Sequence, residues 1–120
     1  MIKKIKVQKL GKLRIYLKSG ETVKSEGLLR KIFPRTAVRK ILDEAKSEGF
    51  LNAHVFQTHS AYRKGEKSIH THAVEGDNSG LTICIELVDE KDRLQQFVIR
   101  NEELLAGKTI IFKEVEYWSY

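Results

Sequence analysis

The sequence predicts an α+β domain in which two helices cover one face of an antiparallel sheet. Segments whose apolar residues alternate with polar ones predict strands, and segments whose apolar residues recur every three or four positions predict helices. These segments follow one another as β-α-β-β-α-β, with a long loop between the second and third strands. Right-handed crossovers turn this order into a ferredoxin-like sandwich. With 120 residues, of which 41% are hydrophobic and 32% charged, we expect one globular domain over 1–120.

The first strand is predicted around Leu13, Ile15 and Leu17, which alternate with polar residues. The alternation extends back toward Ile5. Residues 21–33 follow no clear period, so we assign them no element.

The first helix is predicted over residues 35–48, with Pro34 in its first turn, where the missing N–H costs nothing. Gly49 is placed as the C-terminal cap. Four apolar residues recur at i, i+3, i+4 and i+7 and form one stripe that faces the sheet: Val38, Ile41, Leu42 and Ala45.

A long polar loop over residues 60–80 follows the second predicted strand, 52–59. Loops longer than about 12–15 residues in a compact domain are often functional. Arg63, Lys64 and Lys67 give this loop positive charge. We therefore treat it as a candidate recognition element.

The clearest strand is predicted over residues 81–88, and both of its faces are apolar enough to be covered. Asp89 follows it as the predicted N-cap of the second helix, which ends at Gly107. Residues 109–117 are predicted to form the last strand. Because two helices cover one face of a sheet, we expect a homotrimer to bury the other face.

The net charge of +6 favours acidic partners. No apolar run approaches the roughly 20 residues that span a bilayer, and the start of the chain lacks the apolar core of a signal peptide. The single cysteine, Cys84, fits a reducing compartment. We expect a cytoplasmic protein.

Catalytic and metal-binding patterns are weak in this sequence. His70 and His72 would share one face of a strand and form half of a metal site, but no further ligand completes the site by its spacing. Cys84 lies in the middle of a strand, where a free cysteine usually packs as a small hydrophobe. We therefore expect no enzymatic activity and no stoichiometric metal.

Phosphate recognition has better support. Gly107-Lys108 lies at a helix-to-strand turn, where backbone N–H groups and an ammonium can meet a phosphate. The glycine is equally explained as a helix cap, and the lysine as a complement to the helix dipole.

Five short segments are informative by their order and spacing: GKLRIYL (11–17), AKSEGFL (45–51), IHT (69–71), IELVD (85–89) and FKEVEY (112–117). Together they resemble the PII-like proteins with domain of unknown function one-ninety. The resemblance covers roughly residues 11–118.

This resemblance implies a trimer that binds adenine nucleotides in clefts between subunits, needs no cofactor, and reports the ligand through loop 60–80 to a membrane transporter or an enzyme. The phosphate-binding turn of the PII family reads Gly-Asp-Gly-Lys, and residues 105–108 read Leu-Ala-Gly-Lys. The candidate ligand-binding residues are Gly107, Lys108, His59, Tyr62, Arg63 and Lys64.

Two other functions remain open. Divalent-cation-tolerance proteins share the predicted fold, and in that interpretation His70 and His72 bind a metal in a trimer. A basic nucleic-acid-binding module is the third possibility, but the aromatic-glycine signature of RNA-recognition domains is absent.

Overall fold

The computed structural model of the chain describes residues 4–18, 36–58, 60–62, 64–71 and 81–120. Along these residues the elements are, in order, β1 (Lys6–Lys18), α1 (Ala37–Glu48), β2 (Asn52–Gln57), β3 (Ser60–Ala61), β4 (His70–Thr71), β5 (Thr82–Asp89), α2 (Lys91–Arg100), α3 (Glu102–Leu105) and β6 (Thr109–Ser119).

Four of the strands form one antiparallel sheet in the order β2-β5-β1-β6. β1 is hydrogen-bonded on both sides, so the first strand in the sequence lies inside the sheet. β3 and β4 pair with each other, with Ser60 opposite Thr71. The predicted α+β class, an antiparallel sheet with helices, is confirmed.

The helices pack on one face of the sheet. Ile15 lies opposite Ile85 near its centre, and both side chains are fully buried. Ile41 of α1 and Phe97 of α2 belong to the same buried cluster. Each such side chain contributes about 1.5–3 kcal/mol by leaving water. This cluster is the hydrophobic core predicted by the alternation of apolar residues in the strands and by their helical spacing in the helices.

We call the other face the uncovered face, because the buried residues of the three helices that the structure describes all belong to the cluster on the helix side. Side chains alternate across a strand, so this face carries every second residue of each strand. It includes Lys12, Arg14, Tyr16 and Lys18 on β1, Thr82, Cys84, Glu86 and Val88 on β5, Asn52, His54 and Phe56 on β2, and Thr109, Ile111 and Lys113 on β6.

Both ends of α1 are capped. Thr36 is the N-cap, and its hydroxyl oxygen accepts a hydrogen bond from the Arg39 N–H (3.2 Å). Gly49 is left-handed at φ 71°, and its N–H donates to Lys46 O (3.0 Å). Gly49 is thus the predicted cap, while the helix starts at Ala37 and not at residue 35. Pro34, like residues 21–33, lies outside the described residues.

Asp89, at the end of β5, is buried at 3% exposure and accepts three hydrogen bonds. Its Oδ1 accepts from the Glu90 N–H (2.7 Å) and from the Arg93 guanidinium (2.9 Å). Its Oδ2 accepts from the Leu51 N–H (3.0 Å). One carboxylate therefore ties the start of β2 to the start of α2.

The prediction that Asp89 caps the second helix is wrong. The N-cap position is Glu90, which makes no side-chain capping hydrogen bond. Asp89 instead accepts a hydrogen bond from the Arg93 guanidinium. The same guanidinium also donates to Glu48 O at the end of α1, so Arg93 connects Asp89 to that helix. Arg93 also lies over the Phe50 ring, 5.3 Å from its centroid.

The second predicted helix is divided into α2 and α3 at Asn101. The Asn101 side-chain amide and backbone N–H both donate to Phe97 O, at 2.9 and 3.0 Å. α3 then ends at Leu105, two residues before the predicted end at Gly107.

Replacing Asp89 by alanine should lower the free energy of unfolding by about 2–4 kcal/mol, because two backbone N–H groups and a guanidinium lose their acceptor. Urea titration followed by circular dichroism measures this change. The control is Arg39→Ala, which removes an exposed i,i+4 pair to Asp43 (3.1 Å) and should cost less than about 1 kcal/mol. Equal losses in the two variants would contradict the role of Asp89.

Candidate ligand-binding site

The Gly107-Lys108 dipeptide lies in a type II β-turn. The Lys108 N–H donates to Leu105 O (3.1 Å), Ala106 has φ −57° and ψ 135°, and Gly107 has φ 76°. A type II turn needs a positive φ at its third residue, which glycine adopts without steric cost. The glycine is therefore explained by the turn, and not as a cap directly after the helix.

This turn fixes which groups an anion could meet. The Lys108 N–H is already bonded to Leu105 O, so it is not a free donor for a phosphate. The charged group at the turn is the Lys108 ammonium, on a half-buried residue. An anion at this turn would therefore depend on the lysine side chain more than on the backbone.

The turn lies at the end of the sheet where the long loop begins. Thr109, which follows it, pairs with Tyr16 near the end of β1. At the same end, the Thr58 N–H and hydroxyl both donate to Thr82 O, at 3.0 and 2.9 Å, and this closes β2 at Gln57. Lys108 and the base of loop 60–80 thus share one end of the sheet.

The described part of loop 60–80 contains the β3–β4 ladder and a turn at Gly65 (φ 95°). Tyr62 is 69% exposed, and Lys64 is exposed. Glu66 accepts from Lys18 (3.3 Å), so the loop is joined to the end of β1. Two of the predicted ligand-binding residues, His59 and Arg63, lie outside the described residues.

The predicted histidine pair is described only in part. His70 is in β4, opposite Ala61, while His72 lies outside the described residues. Within the described residues, no group of three or more His, Cys, Asp and Glu side chains could hold a metal. The proposal of a metal site at these histidines remains a prediction.

The uncovered face carries a polar network that the sequence analysis did not identify. Glu86 accepts from Lys12 (3.4 Å) and from Arg14 (3.1 Å), and its side chain is 12% exposed. Tyr16 lies on the same face, two residues from Arg14 and directly opposite Cys84, so its hydroxyl neighbours both. The sequence does contain one indication of this network, because Glu86 is a carboxylate in the middle of a mostly apolar strand.

This network changes two pKa values. The neighbouring Tyr16 hydroxyl and the Glu86 carboxylate, which accepts a hydrogen bond from Arg14, raise the pKa of Arg14, which stays charged. Burial raises the pKa of the Cys84 thiol, and the hydrogen bond from Tyr16 partly opposes this effect. Cys84 therefore remains protonated at neutral pH, which fits a packing role better than a nucleophilic one.

A shallow cavity of about 330 Å³ lies between α1 and β2. Its apolar lining is Leu42, Ala45, Phe50 and Ala53, and its charged rim is Arg39, Asp43 and Lys46. Of the candidate ligand-binding residues that the structure describes, Tyr62, Lys64, Gly107 and Lys108, none lines it. Among the described helices, none is long and apolar enough to cross a membrane.

Alkylation tests the state of Cys84. Because the thiolate is the reactive species, a raised pKa should make Cys84 react with iodoacetamide more slowly at about pH 8 than it does in the urea-unfolded chain. Tyr16→Phe should slow it further in the folded protein, since the hydrogen bond that lowers the pKa is lost. Mass spectrometry measures both rates. Equal rates in folded and unfolded chains would contradict the burial.

One protein family matches most of the sequence. The profile of DUF190, described as "Uncharacterized ACR", covers residues 10–117. A comparison with curated proteins finds no match.

Solved structures with the same fold include CPII from Thiomonas intermedia K12, a nitrogen regulatory PII-like protein. Its apo form has 12% identity and a TM-score of 0.57, with 98% of this chain and 100% of that one covered. CPII bound to ADP and bicarbonate has 15% identity and a TM-score of 0.58, with 93% and 91% covered.

The divalent ion tolerance protein CutA1 from Ehrlichia chaffeensis is also similar. It has 13% identity and a TM-score of 0.55, with 88% of this chain and 80% of that one covered. At these identities the similarity establishes the fold. The chain belongs to the DUF190 family, and its fold is that of the PII-like proteins.

Proposed function

We propose that this protein is a non-enzymatic PII-like regulator, acting in the cytoplasm, that senses an anionic small molecule. An adenine nucleotide is the first candidate, because CPII, which shares the fold, binds ADP, AMP and bicarbonate. The observation that carries the proposal is the type II turn that presents Lys108 beside the base of loop 60–80. The ligand state would be reported through that loop to a membrane transporter or an enzyme.

The site would take the ligand's phosphate at the Gly107-Lys108 turn, with the remaining contacts from the loop of a neighbouring subunit. Tyr62 and Lys64, both exposed, are available for such contacts, and His59 and Arg63 remain candidates. The net charge of +6 favours an anion over a cation as the ligand. No resident cofactor is required.

We further propose a ferredoxin-like homotrimer. The strand order β2-β5-β1-β6 supports this fold. The uncovered face supports the assembly, because it carries Phe56 at 52% and Ile111 at 49% exposure, beside a half-buried Tyr16. Exposed apolar patches of this kind mark interaction surfaces. Trimerisation would bury this face and create the intersubunit clefts that the ligand site needs.

A second candidate is a metal-binding trimer of the cation-tolerance type. The similarity to CutA1 and the position of His70 in β4 support it. Elemental analysis of purified protein separates the two functions, because one metal per subunit that is lost in His70→Ala would favour metal binding.

Replacing Lys108 by alanine should weaken nucleotide binding by about ten- to a hundredfold, because a charge-assisted hydrogen bond contributes about 1.5–3 kcal/mol. Calorimetry with AMP, ADP, ATP and cyclic nucleotides measures the affinity. Binding should also slow hydrogen exchange across residues 60–80.

Lys6→Ala is the matched control, since Lys6 pairs with Ser119 at the opposite end of β6 from the turn. It should bind nucleotides like wild type. Failure of wild type to bind any nucleotide at about millimolar concentration, or equal affinities of wild type and Lys108→Ala, would remove this turn from the ligand site.

Light scattering tests the assembly. We expect a mass of three chains at micromolar concentration. Phe56→Asp should shift the mass toward one chain, because it places a carboxylate opposite Cys84 in the face that the trimer would bury. Ile99→Asp, at a residue of α2 that is 58% exposed on the helix side, should leave the mass unchanged. A monomeric wild-type protein would rule out the trimer.

A further inference from the structure

The uncovered face has a charge arrangement that a single chain does not balance. Lys12 on β1 lies directly opposite Lys113 on β6. Directly opposite residues of an antiparallel pair have Cβ atoms about 4.5–5.5 Å apart, and like charges there repel. Arg14 lies two residues further along β1 on the same face. Three cations are therefore grouped on two neighbouring strands.

One described carboxylate on this face lies within ion-pair distance of the group. Glu86 pairs with Lys12 and Arg14, both on the side of β5. Lys113 lies on the opposite side of β1 and has no ion pair within 4.0 Å among the described residues. Its sequence neighbour Glu114 lies on the helix side, where it meets Lys91 (3.8 Å). The group therefore keeps an excess of positive charge around Lys113.

We propose that Lys12 and Lys113 bind an oxyanion of phosphate size on the uncovered face. An anion between the two ammonium groups turns their repulsion into two charge-assisted contacts. Arg14, held in place by Glu86 and Tyr16, supplies further positive potential on the same face. The excess of two cations over carboxylates matches a divalent oxyanion. This site lies on the face of the sheet, away from the Gly107-Lys108 turn.

The anion has a consequence for assembly, and this step rests on the proposed trimer. Burying unbalanced charges between subunits is unfavourable, because each loses its hydration without a partner. A bound oxyanion neutralises the face before it is buried. Phosphate should therefore favour the assembled state as well as the folded chain.

The experiment measures the thermal midpoint and the affinity for inorganic phosphate at constant ionic strength. All proteins carry Lys108→Ala, so that phosphate at the turn makes no contribution. Phosphate should raise the thermal midpoint of the Lys108→Ala protein, which is the parent in this experiment. Adding Lys113→Gln should weaken phosphate binding by about tenfold or more, as expected for the loss of one charge-assisted contact. Lys46→Gln, an equal charge change on α1, should leave phosphate binding unchanged.

A second result separates ligand binding from a merely structural role. Without phosphate, Lys113→Gln should have a higher midpoint than its parent, because the repulsion with Lys12 is gone. With saturating phosphate, Lys113→Gln should have the lower thermal midpoint of the two proteins. A substitution that only damages packing would lower the midpoint in both buffers.

Two outcomes would overturn the site: no response of the parent to phosphate, or equal phosphate affinities with and without Lys113→Gln. Light scattering on the same samples reports on the proposed function separately. A monomer at every phosphate concentration would rule out the trimer, and the phosphate affinities would still decide the site.

Discussion

The rest of this structure depends on the buried cluster that joins Ile15 of β1 and Ile85 of β5 to Ile41 of α1 and Phe97 of α2. It places β1 and β5 side by side at the centre of the sheet and assigns one face of that sheet to the core. None of the described helices packs on the other face, although Cys84 and Val88 on it are each only 7% exposed. A sheet that is apolar on one side and partly apolar on the other is well suited to self-association.

Around this core, a single carboxylate fixes how the chain passes between its elements. Asp89 joins the end of β5 to the start of β2 and, through Arg93, to the last turn of α1. The direction of α2 is set at this junction. α2, Asn101 and α3 then carry the chain back across the sheet to the type II turn. Lys108 itself is held by the hydrogen bond of the turn to Leu105 O and by the pairing of Thr109 with Tyr16.

Electrostatics distinguish the two surfaces that concern function. At the end of the sheet, Lys108 lies beside the base of the loop that carries Lys64. On the uncovered face, Glu86 already engages Lys12 and Arg14.

The sequence determined the class of fold, the order of most elements and the core, because apolar periodicity reports directly which side chains face a helix or a strand. It also located the Gly49 cap and the Gly107 turn, since a positive φ favours glycine. Only the tertiary structure decided the partners of Asp89 and Glu86. Leu51, whose N–H donates to Asp89, is 38 positions away, and Arg14, which pairs with Glu86, is 72 positions away. No local pattern encodes such contacts. For the same reason the Lys12–Lys113 pair required the register of β1 against β6.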